Sequence, residues 1–594
     1  MNFLKTFLAA LLAVVAGSVV SFFFWLIVLI GIAASMGSST PVKVAPGSIL
    51  KIDLAETVTD APATNPLSGF DVLSLNRVPQ ISLLSVLDAL HAAAADDRIQ
   101  GIYLRMDGGG GFESTAALEE FREALEWFKE TSGKFVVSYS DTYTQGKYYL
   151  ASVSDRIYLQ PQGGMDWTGL AQELMFYKGL MDKLGVKAEV FRPTVCKYKS
   201  AVEPYILDKM SPENRAQMQQ LVNSLWHTIS GAVAESRGID YDALQQITDG
   251  LQVVLPEEAL AKGFVDGLVY EDQMDDLFAE LGAEADRSGD YRFVTLGDYA
   301  SQLEPNAAFS KDPVVAIVYA SGSIVDGEGS DAVYGNTLAR QLARLRKDKE
   351  VAAVVLRVNS PGGSALASDV IWREMELLRD EKPVVVSMGG YAASGGYYIS
   401  CPADVIVADR TTITGSIGVF GLMYNLRDLM VNKLGITFDT VESNSEASLS
   451  GFAPLSPVQR AAMMRGVDRV YETFTTNVAN GRNLSIEHVL DIAGGRVWTG
   501  EDAKGIGLID EYGGLSYAIS VAADKAGLGE DFRVEEQIEQ PEGLAAILAS
   551  LQMQVRTKIK CSELGIRTED YVRLREALSQ EGIRVWCPWR IEVR

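Results

Sequence analysis

The chain has 594 residues, of which 47% are hydrophobic and 22% are charged, a balance typical of a folded protein with more than one core. Its net charge of −25 argues against nucleic-acid binding, because phosphate recognition needs clustered Lys and Arg. The four cysteines form no CxxC pair, so we expect no zinc site and no disulfide scaffold, and only three histidines occur.

The N-terminal segment predicts a membrane anchor. No charged residue occurs from Thr6 to Val42, and Phe7–Ala34 is strongly apolar. About 20 apolar residues span a bilayer, whereas the apolar part of a cleavable signal has only about 7–15. We therefore expect residues 1–43 to form a short cytoplasmic stub and one transmembrane helix, with a buried helix of a soluble domain as the alternative. The short stub favours an orientation with the bulk of the chain outside the membrane, which in a bacterium is the periplasm.

Strands and helices alternate after this segment, and such alternation predicts parallel β-α-β units. The first of them is the alternating strand Ser48–Leu54. The predicted elements that follow are the helix Leu83–Ala95, the strand Ile102–Arg105, the glycine run Gly108–Gly111, the helix Ser114–Ser132 and the strand Phe135–Tyr139.

The same order of elements returns in the second half of the chain. Residues 135–159 align with residues 384–408 without a gap, and a Tyr-Tyr pair and an Asp coincide in the two stretches. Each half then has a Ser-Pro pair, Ser211-Pro212 and Ser456-Pro457, that opens a long helical pattern. Serine at the N-cap followed by proline is a helix-start signature. The pattern indicates duplication of a whole domain, since the repeating unit is far longer than a solenoid repeat.

We predict an N-terminal domain over residues 44–300, a C-terminal domain over 301–533 and a tail over 534–594. The tail contains an apolar helix candidate, Gly543–Val555, and a short strand, Ile583–Trp586. We expect these elements to dock on the body of the protein or on a neighbour. Binding to a membrane surface is the alternative, although the tail is only modestly basic.

A serine in the second half stands where a nucleophile can be presented. Ser394 follows an apolar run and is flanked by small residues, with a helix beginning near Tyr397. Glycines at such a turn let a substrate backbone approach, and the free N–H groups of a helix start favour a developing negative charge. The alternative is an ordinary Gly-rich turn between a strand and a helix.

The two copies differ in their reactive residues. At the position of Ser394 the first copy has Gln145, so it lacks this serine. It carries instead Lys197 and Lys199, whereas the second copy has no lysine from Leu434 to Ala503. A serine kept in one copy and lysines kept in the other indicate one composite site.

This pairing is chemically reasonable. A serine hydroxyl is a poor nucleophile until a base takes its proton, and a lysine can be that base only when it is neutral. Its usual pKa of about 10.4 must then fall to ~7–8, which an apolar cleft between two domains could achieve. The residues alone do not choose between Lys197 and Lys199, because alternate residues of an extended segment share a face. They also leave open a solvated lysine pair, and whether serine and lysine meet within one chain or between chains.

Four short segments carry a resemblance to a known family. They are Tyr198–Pro204, Asn359–Gly363, Tyr391–Tyr398 and Thr414–Val419. Together they resemble the bacterial signal peptide peptidase A family in its long, duplicated form, a group of serine proteases of the Clp/crotonase-like superfamily. The resemblance covers nearly all of residues 44–530. It implies an α/β fold in which a Clp/crotonase-like ββα-type domain occurs twice in tandem, preceded by one transmembrane helix.

The resemblance also implies roles for particular residues. Ser394 matches the nucleophile and Lys199 the general base, which favours Lys199 over Lys197. Ser416 matches a serine that orients the lysine amine. The backbone N–H groups of an oxyanion hole would come from Gly362, Gly363 and Gly395.

The implied function is that of a membrane-anchored serine endopeptidase that degrades cleaved signal peptides and other extended apolar peptides through an acyl-enzyme. Family resemblance further implies a homo-oligomer, a tetramer, and no metal or cofactor. A histidine-based triad is the mechanistic rival, but His91, His227 and His488 all lie in helix-like amphipathic contexts. An acyl-coenzyme A enzyme of the crotonase type and an inactive protease-like membrane scaffold are the alternative functions.

Overall fold

The computed structural model describes residues 44–63, 70–71, 76–303, 312–538 and 582–586. The predicted anchor over Phe7–Ala34 and the predicted tail helix Gly543–Val555 lie outside these residues. Within the described ranges, no helix combines the length and the apolar character needed to cross a bilayer.

The described elements of the first half alternate as predicted. The strands are β1 (Ser48–Ile52), β2 (Thr57–Thr59), β3 (Phe70–Asp71), β4 (Asn76–Arg77), β5 (Gln80–Ser82), β6 (Ile99–Leu104), β7 (Gly111–Phe112), β8 (Phe135–Tyr143), β9 (Arg156–Met165), β10 (Lys187–Phe191), β11 (Gly267–Leu268) and β12 (Arg292–Thr295). The helices are α1 (Leu83–Ala95), α2 (Thr115–Ser132), α3 (Gln145–Ala151), α4 (Lys178–Leu184), α5 (Glu203–Ile206), α6 (Pro212–Arg237), α7 (Tyr241–Asp249), α8 (Pro256–Ala261), α9 (Met274–Glu280) and α10 (Leu296–Ala300), with 3-10 turns at Ser200–Val202 and Glu271–Gln273.

The second half has a similar series. Its strands are β13 (Val314–Ser321), β14 (Ile324–Val325), β15 (Val333–Tyr334), β16 (Val351–Ser360), β17 (Gly362–Ser364), β18 (Val384–Ala393), β19 (Val405–Ala408), β20 (Ile413–Gly415), β21 (Phe420–Asn425), β22 (Val497–Thr499), β23 (Glu511–Tyr512), β24 (Arg533–Gln537) and β25 (Gly582–Trp586). Its helices are α11 (Gly335–Lys347), α12 (Ala365–Arg379), α13 (Gly395–Ser400), α14 (Pro457–Gly481), α15 (Ile486–Ile492), α16 (Gly500–Gly505) and α17 (Leu515–Lys525), with a π-helical turn at Leu429–Lys433.

Each half builds its own sheet, which is parallel in the first half and parallel except for the antiparallel β20–β22 pair in the second. The first sheet has the order β11-β9-β8-β6-β1-β12, and all of its pairs are parallel. The second has the order β22-β20-β18-β16-β13-β24, with β19 beside β18 and β23 beside β19. The series β12-β1-β6-β8 thus recurs as β24-β13-β16-β18. These sheets confirm the α/β class and the parallel β-α-β units predicted from the alternation.

The two Ser-Pro pairs begin helices as predicted. Ser211 caps α6 by accepting a hydrogen bond from the backbone N–H of Asn214. The helix is followed by Gly238, which has a left-handed φ of 61°. Ser456 caps α14 in the same way, and Oε1 of Gln459 accepts a hydrogen bond from the backbone N–H of Ser456. Each cap satisfies N–H groups that have no partner within the helix.

A third, mixed sheet joins the two halves. Its order is β10-β21-β25-β17-β14-β15, and β10 of the first half pairs antiparallel with β21 of the second. Its third strand in spatial order, β25, is the strand predicted over Ile583–Trp586, and it docks on the body of the protein as expected. The structure therefore links the halves through the backbone as well as through side chains.

A buried ionic cluster also connects the halves. Arg357 on β16 has no exposed surface, and its guanidinium pairs with the carboxylates of Asp60 and Glu120 from the first half. Glu120 lies on α2 and also accepts a bond of 2.6 Å from the N–H of Leu515, the first residue of α17. Because a buried charge is costly unless it is paired, this cluster holds the relative position of the halves.

Candidate active site

Two serines of the second half follow neighbouring strands. Ala393, the last residue of β18, lies opposite Gly415, the last residue of β20, in a parallel pair. The N–H of Ser394 donates to the carbonyl of Gly415 over 2.8 Å. Because the carboxyl ends of parallel strands meet at one edge of a sheet, Ser394 and Ser416 come together at the edge where ligands of α/β proteins bind.

The backbone at both serines is unusual. Ser394 has φ 58° and ψ −111°, and Ser416 has φ 50°. A positive φ is uncommon for residues other than glycine, and such strained residues cluster at functional sites, where the surrounding structure holds them in place. Here Ser394 is held between β18 and α13, and the N–H of Ser416 bonds the carbonyl of Arg496 over 2.6 Å.

Lys199 reaches this edge from the first half. The chain leaves β10 and arrives at Lys199 immediately before the 3-10 turn Ser200–Val202. The N–H of Tyr198 donates to the carbonyl of Gly494 over 3.0 Å. The side chain of Gln217 on α6 donates to the carbonyl of Tyr198 and to Oγ of Ser200, at 3.0 and 2.9 Å. The backbone on either side of the lysine is therefore fixed by both halves of the chain.

The lysine amine lies between the two serines. Nζ of Lys199 is 2.7 Å from Oγ of Ser394, 2.9 Å from Oγ of Ser416 and 3.0 Å from the carbonyl oxygen of Ser416. Lys199 is 1% exposed and Ser394 is 0% exposed, whereas Lys197 is exposed to solvent. The structure thus brings together the three side chains singled out by sequence, within one chain, and places the rival lysine outside the cluster.

Two glycines leave room for the lysine stem. A Cβ at Gly495, which has φ 84°, would lie 2.5 Å from Cβ of Lys199. A Cβ at Gly418 would lie 3.4 Å from Cδ of Lys199 and 2.6 Å from Cα of Gly495. The role of Gly495 was not predicted from the sequence. The one available signal was the Gly494-Gly495 pair, which by itself predicts only a turn.

The glycines predicted for the oxyanion hole lie beside the serine turn. Gly362 and Gly363 form the start of β17, and Gly395 directly follows the serine as the first residue of α13. A Cβ at Gly396 would lie 2.5 Å from the carbonyl oxygen of Ser360, so this turn packs closely against the end of β16. The N–H of Gly362 donates to Oγ of Ser360 over 3.2 Å.

Asp60 connects the ionic cluster to these two turns. Its carboxylate accepts from Nδ2 of Asn359 as well as from Arg357. Oδ1 of Asn359 in turn accepts from the N–H of Tyr391 over 3.1 Å, which ties the end of β16 to β18. The sequence gives little signal for this link, although an arginine occupies the corresponding position after a buried apolar run in both copies, as Arg105 and Arg357.

Gln145 occupies the position in the first copy that corresponds to Ser394. It occupies the first position of α3, as Ser394 directly precedes α13 in the other copy. Its side chain is buried, and its oxygen accepts from the N–H groups of Thr168 and Gly169, at 2.9 and 2.6 Å. Gln145 therefore closes a loop of the first half by hydrogen bonds.

The histidines have other partners. A ring nitrogen of His227 lies 3.0 Å from the hydroxyl of Tyr241, and one of His488 lies 2.9 Å from the carbonyl of Ile506. His91 packs edge-on against an indole ring. These contacts lie outside the serine turns. In the part of the chain that the structure describes, no three His, Cys, Asp or Glu side chains are grouped as metal ligands would be.

Comparison with known proteins agrees with the duplication. The family model for Peptidase family S49 matches residues 129–285 and again residues 376–529, one stretch in each half. A model for Clp protease matches residues 309–409. The duplicated α/β domain is thus present in both halves of the chain.

Relatives of this chain carry protease names. Protease 4 of Salmonella typhi is 36% identical over 91% of this chain and 88% of its own length. The chloroplastic serine protease SPPA of Arabidopsis thaliana is 32% identical over 82% of this chain and 70% of its own. A putative signal peptide peptidase SppA of Enterococcus faecium is 37% identical over 29% of this chain and 51% of its own.

The fold and these matches define a serine peptidase built on a duplicated Clp-like α/β domain. The enzyme class predicted from the sequence is therefore confirmed. The chain belongs to Peptidase family S49.

Proposed function

We propose that the chain is a membrane-anchored endopeptidase in which Ser394 is the nucleophile and Lys199 is the general base. The observation that supports this most directly is the 2.7 Å separation of Nζ and Oγ at a buried position. A hydroxyl at this distance can transfer its proton to a neutral amine. Burial favours the neutral form, because it removes the water that stabilises an ammonium group.

The proposed reaction has two stages. Lys199 takes the hydroxyl proton as Oγ of Ser394 bonds to the carbonyl carbon of the scissile peptide, and the carbonyl electron pair moves to the oxygen. The C–N bond then breaks, and the ammonium of Lys199 gives its proton to the leaving amine. A water molecule, deprotonated by the same amine, hydrolyses the resulting acyl-enzyme. Ser416 holds the amine in place through its Oγ and its carbonyl oxygen.

The negative oxygen formed in each stage needs fixed hydrogen-bond donors. We assign this role to the backbone N–H groups of Gly395 and of Gly362 and Gly363, which lie on the two segments that meet at the serine turn. The N–H of Gly362 donates a hydrogen bond to Oγ of Ser360 in this structure. This bond would have to break before Gly362 could stabilise the oxyanion. Gly395 and Gly363 are therefore the first candidates for testing.

The proposed substrates are extended, largely apolar peptides, including cleaved signal peptides. The relative from Enterococcus faecium carries the name putative signal peptide peptidase SppA. The mixed sheet offers short strands beside the serine turn, and strand edges bind extended peptides through main-chain hydrogen bonds.

The test is digestion of a synthetic signal peptide, with products identified by mass spectrometry. We expect internal cleavage by the wild type and no cleavage above background by Ser394→Ala, because the acyl-enzyme cannot form. Ser443→Ala, at an exposed serine, is the matched control and should cleave like the wild type. Equal cleavage by Ser394→Ala would refute the assignment of the nucleophile.

We further propose the cellular arrangement: an anchor within residues 1–43, a lysine-bearing domain over 44–300, a serine-bearing domain over 301–533 and a tail over 534–594. The catalytic bulk would face the periplasm at the inner membrane, as a homo-oligomer. The full chain should sediment with membranes and be digested by protease added to spheroplasts, whereas a variant that starts at Val44 should be released. Protection of the full chain from added protease would contradict this orientation.

A further inference from the structure

The amide side chain of Gln217 connects the segment that carries Lys199 to a strand of the second half. Gln217 lies on α6 and is 2% exposed. Its Nε2 donates to the carbonyl oxygen of Tyr198 over 3.0 Å and to Oγ of Ser200 over 2.9 Å. Its Oε1 accepts from the N–H of Val497, on β22, over 3.4 Å. One side chain thus ties the residues on both sides of the lysine to the second half.

The strand that receives this amide also holds the two serines. Val497 lies opposite Gly415 in the antiparallel pair of β22 and β20. The carbonyl of Gly415 accepts from the N–H of Ser394 over 2.8 Å. The carbonyl of Arg496, directly before β22, accepts from the N–H of Ser416 over 2.6 Å. The backbone of both serines is therefore bonded at or beside the strand that the amide of α6 contacts.

These bonds close a circuit of contacts around the lysine, because its amine also bonds both serines. The place of Gln217 in this circuit needs a group that both donates and accepts. The carbonyl of Tyr198 needs a donor, and the N–H of Val497 needs an acceptor. A carboxamide supplies both, and Oδ1 of Asn214, 3.3 Å from Nε2, fixes its orientation further.

Another side chain of α6 also reaches the second half. Oγ of Ser224 lies 2.7 Å from Oγ1 of Thr499, on β22. This bond does not involve the residues next to Lys199. Gln217 therefore differs from Ser224 in what it positions, although both side chains join the same helix to the same strand.

We propose that Gln217 is a positioning residue that keeps the amine of Lys199 aligned with Ser394 and shielded from water by tying the lysine segment to β22. This inference rests on the proposed function of the Ser394 site, and it names a residue outside the dyad on which the rate depends. Gln217 contacts no reacting atom and acts only through the lysine. Without its bonds the amine moves relative to the hydroxyl, and water that reaches the amine favours its charged form. A misplacement of about 1 Å can lower a rate about 100-fold.

The first test is the pH profile of peptide hydrolysis by Gln217→Met, which has a similar volume and makes neither hydrogen bond. We expect kcat/KM near pH 7 to fall about 10- to 100-fold. KM should change less than about threefold, because a side chain this buried does not contact substrate. The acidic limb of the profile should move up by about 1 pH unit, so activity relative to the wild type should rise between about pH 6 and pH 9. A simple loss of folded protein would instead lower kcat by the same factor at every pH.

Two further variants test whether the effect passes through the lysine segment. Ser200→Ala removes one acceptor of the Gln217 amide and should lower kcat/KM about 2- to 5-fold, with the acidic limb moved in the same direction. It should add nothing in the Gln217→Met background, because the shared contact is already lost. It removes a single hydroxyl, so it tests the proposal even if Gln217→Met does not fold.

Ser224→Ala is the matched control, because it breaks a bond between the same helix and β22 without touching the lysine segment. Its activity should stay within about twofold of the wild type, with an unchanged pH profile. A loss in Ser224→Ala equal to that in Gln217→Met would overturn the proposal. An effect of Ser200→Ala that is fully additive with Gln217→Met would overturn it too.

Chemical modification of the lysines separates this proposal from the catalytic one. Acetylation by an N-hydroxysuccinimide ester, followed by mass spectrometry, requires no peptide turnover. The exposed Lys197 is the internal reference for Lys199, which is 1% exposed. Relative to this reference, Lys199 should be acetylated several-fold faster in Gln217→Met than in the wild type, and Ser224→Ala should not differ from the wild type.

The two proposals then fail in different ways. If the wild type cleaves no peptide but Gln217→Met exposes Lys199 to acetylation, the proposed function fails and the positioning role stands. If the wild type cleaves peptide but Gln217→Met changes neither the acetylation nor the pH profile, only the positioning role fails.

Discussion

Replacing Lys199 by alanine is expected to lower kcat/KM for peptide hydrolysis by about 10³-fold or more, because the hydroxyl of Ser394 loses the group that accepts its proton. The measurement is steady-state hydrolysis of a fluorogenic peptide. Thermal unfolding should be recorded in parallel, so that a loss of activity is not confused with a loss of folded protein.

Two further variants test whether the loss of activity is specific to Lys199. Lys197→Ala changes an exposed lysine and should stay within about twofold of the wild type. Ser416→Ala removes one hydrogen bond to the amine but keeps the carbonyl contact, so a loss of about 10-fold is expected. If Lys197→Ala were as inactive as Lys199→Ala, or if loss of a histidine abolished hydrolysis, the dyad would be wrong.

Replacing Arg357 by methionine is expected to lower the free energy of unfolding by about 3–5 kcal/mol, the usual effect of removing one partner from a buried ion pair. The carboxylates of Asp60 and Glu120 would remain buried without their cation. Methionine fills much of the same volume, so the effect reports the lost charge more than a cavity. The measurement is the midpoint of thermal or denaturant unfolding at pH 7.

The matched control is Arg373→Met, which breaks a pair on the surface. Arg373 lies 3.4 Å from Glu376 with its side chain 62% exposed, and exposed pairs contribute about 1 kcal/mol or less. Equal unfolding midpoints for Arg357→Met and Arg373→Met would show that the buried cluster does not stabilise the fold.

Asp409 provides the contrasting case, because it lies in the same region and its removal should stabilise the protein. Neither carboxylate oxygen of this buried residue has a hydrogen-bond partner among the described residues. Burial and the nearby carboxylates of Glu120 and Glu119 raise the pKa of Asp409 well above its usual range.

The folded state therefore keeps a proton that the unfolded chain releases above about pH 4, and the contribution of Asp409 to stability falls as the pH rises. The midpoint of Asp409→Asn should exceed that of the wild type at pH 8, by a margin that shrinks toward pH 4. A margin that does not depend on pH would contradict this account.

The sequence was most informative where a signal is local. Serine caps and prolines predicted where α6 and α14 begin, because a helix start depends on neighbouring side chains. The strand β25 was predicted in the same way, from β-branched and aromatic residues. Its pairing partners lie more than 150 residues away in the chain, and nothing local in the sequence specifies them.

The proximity of Ser394 to a lysine could be predicted because the duplication supplies a comparison within one sequence. Ser394 is absent from the first copy and the lysines from the matching part of the second, which suggested a composite site. Residue chemistry alone did not choose between Lys197 and Lys199. In the structure the choice follows from tertiary contacts, because the segment around Tyr198 is fixed by Gln217 and Gly494.

Other parts of the site depend on contacts that a sequence pattern does not reveal. Gly495 matters through the space it leaves beside Lys199, and in the sequence it appears only as part of a turn. Asp60 acts through Asn359 and Arg357, each about 300 residues away. A buried carboxylate has no periodic or motif signal, since its partners are chosen by the packing of the two halves.

The lysine and the serine meet inside a single polypeptide, which has a consequence for any assembly of several copies. If the proposed dyad is correct, each subunit carries both of its residues, so Ser394→Ala inactivates only the subunit that bears it. In mixed assemblies of intact and inactive subunits, turnover should decline in direct proportion to the inactive fraction, and a defective allele would be recessive in a cell that expresses both forms.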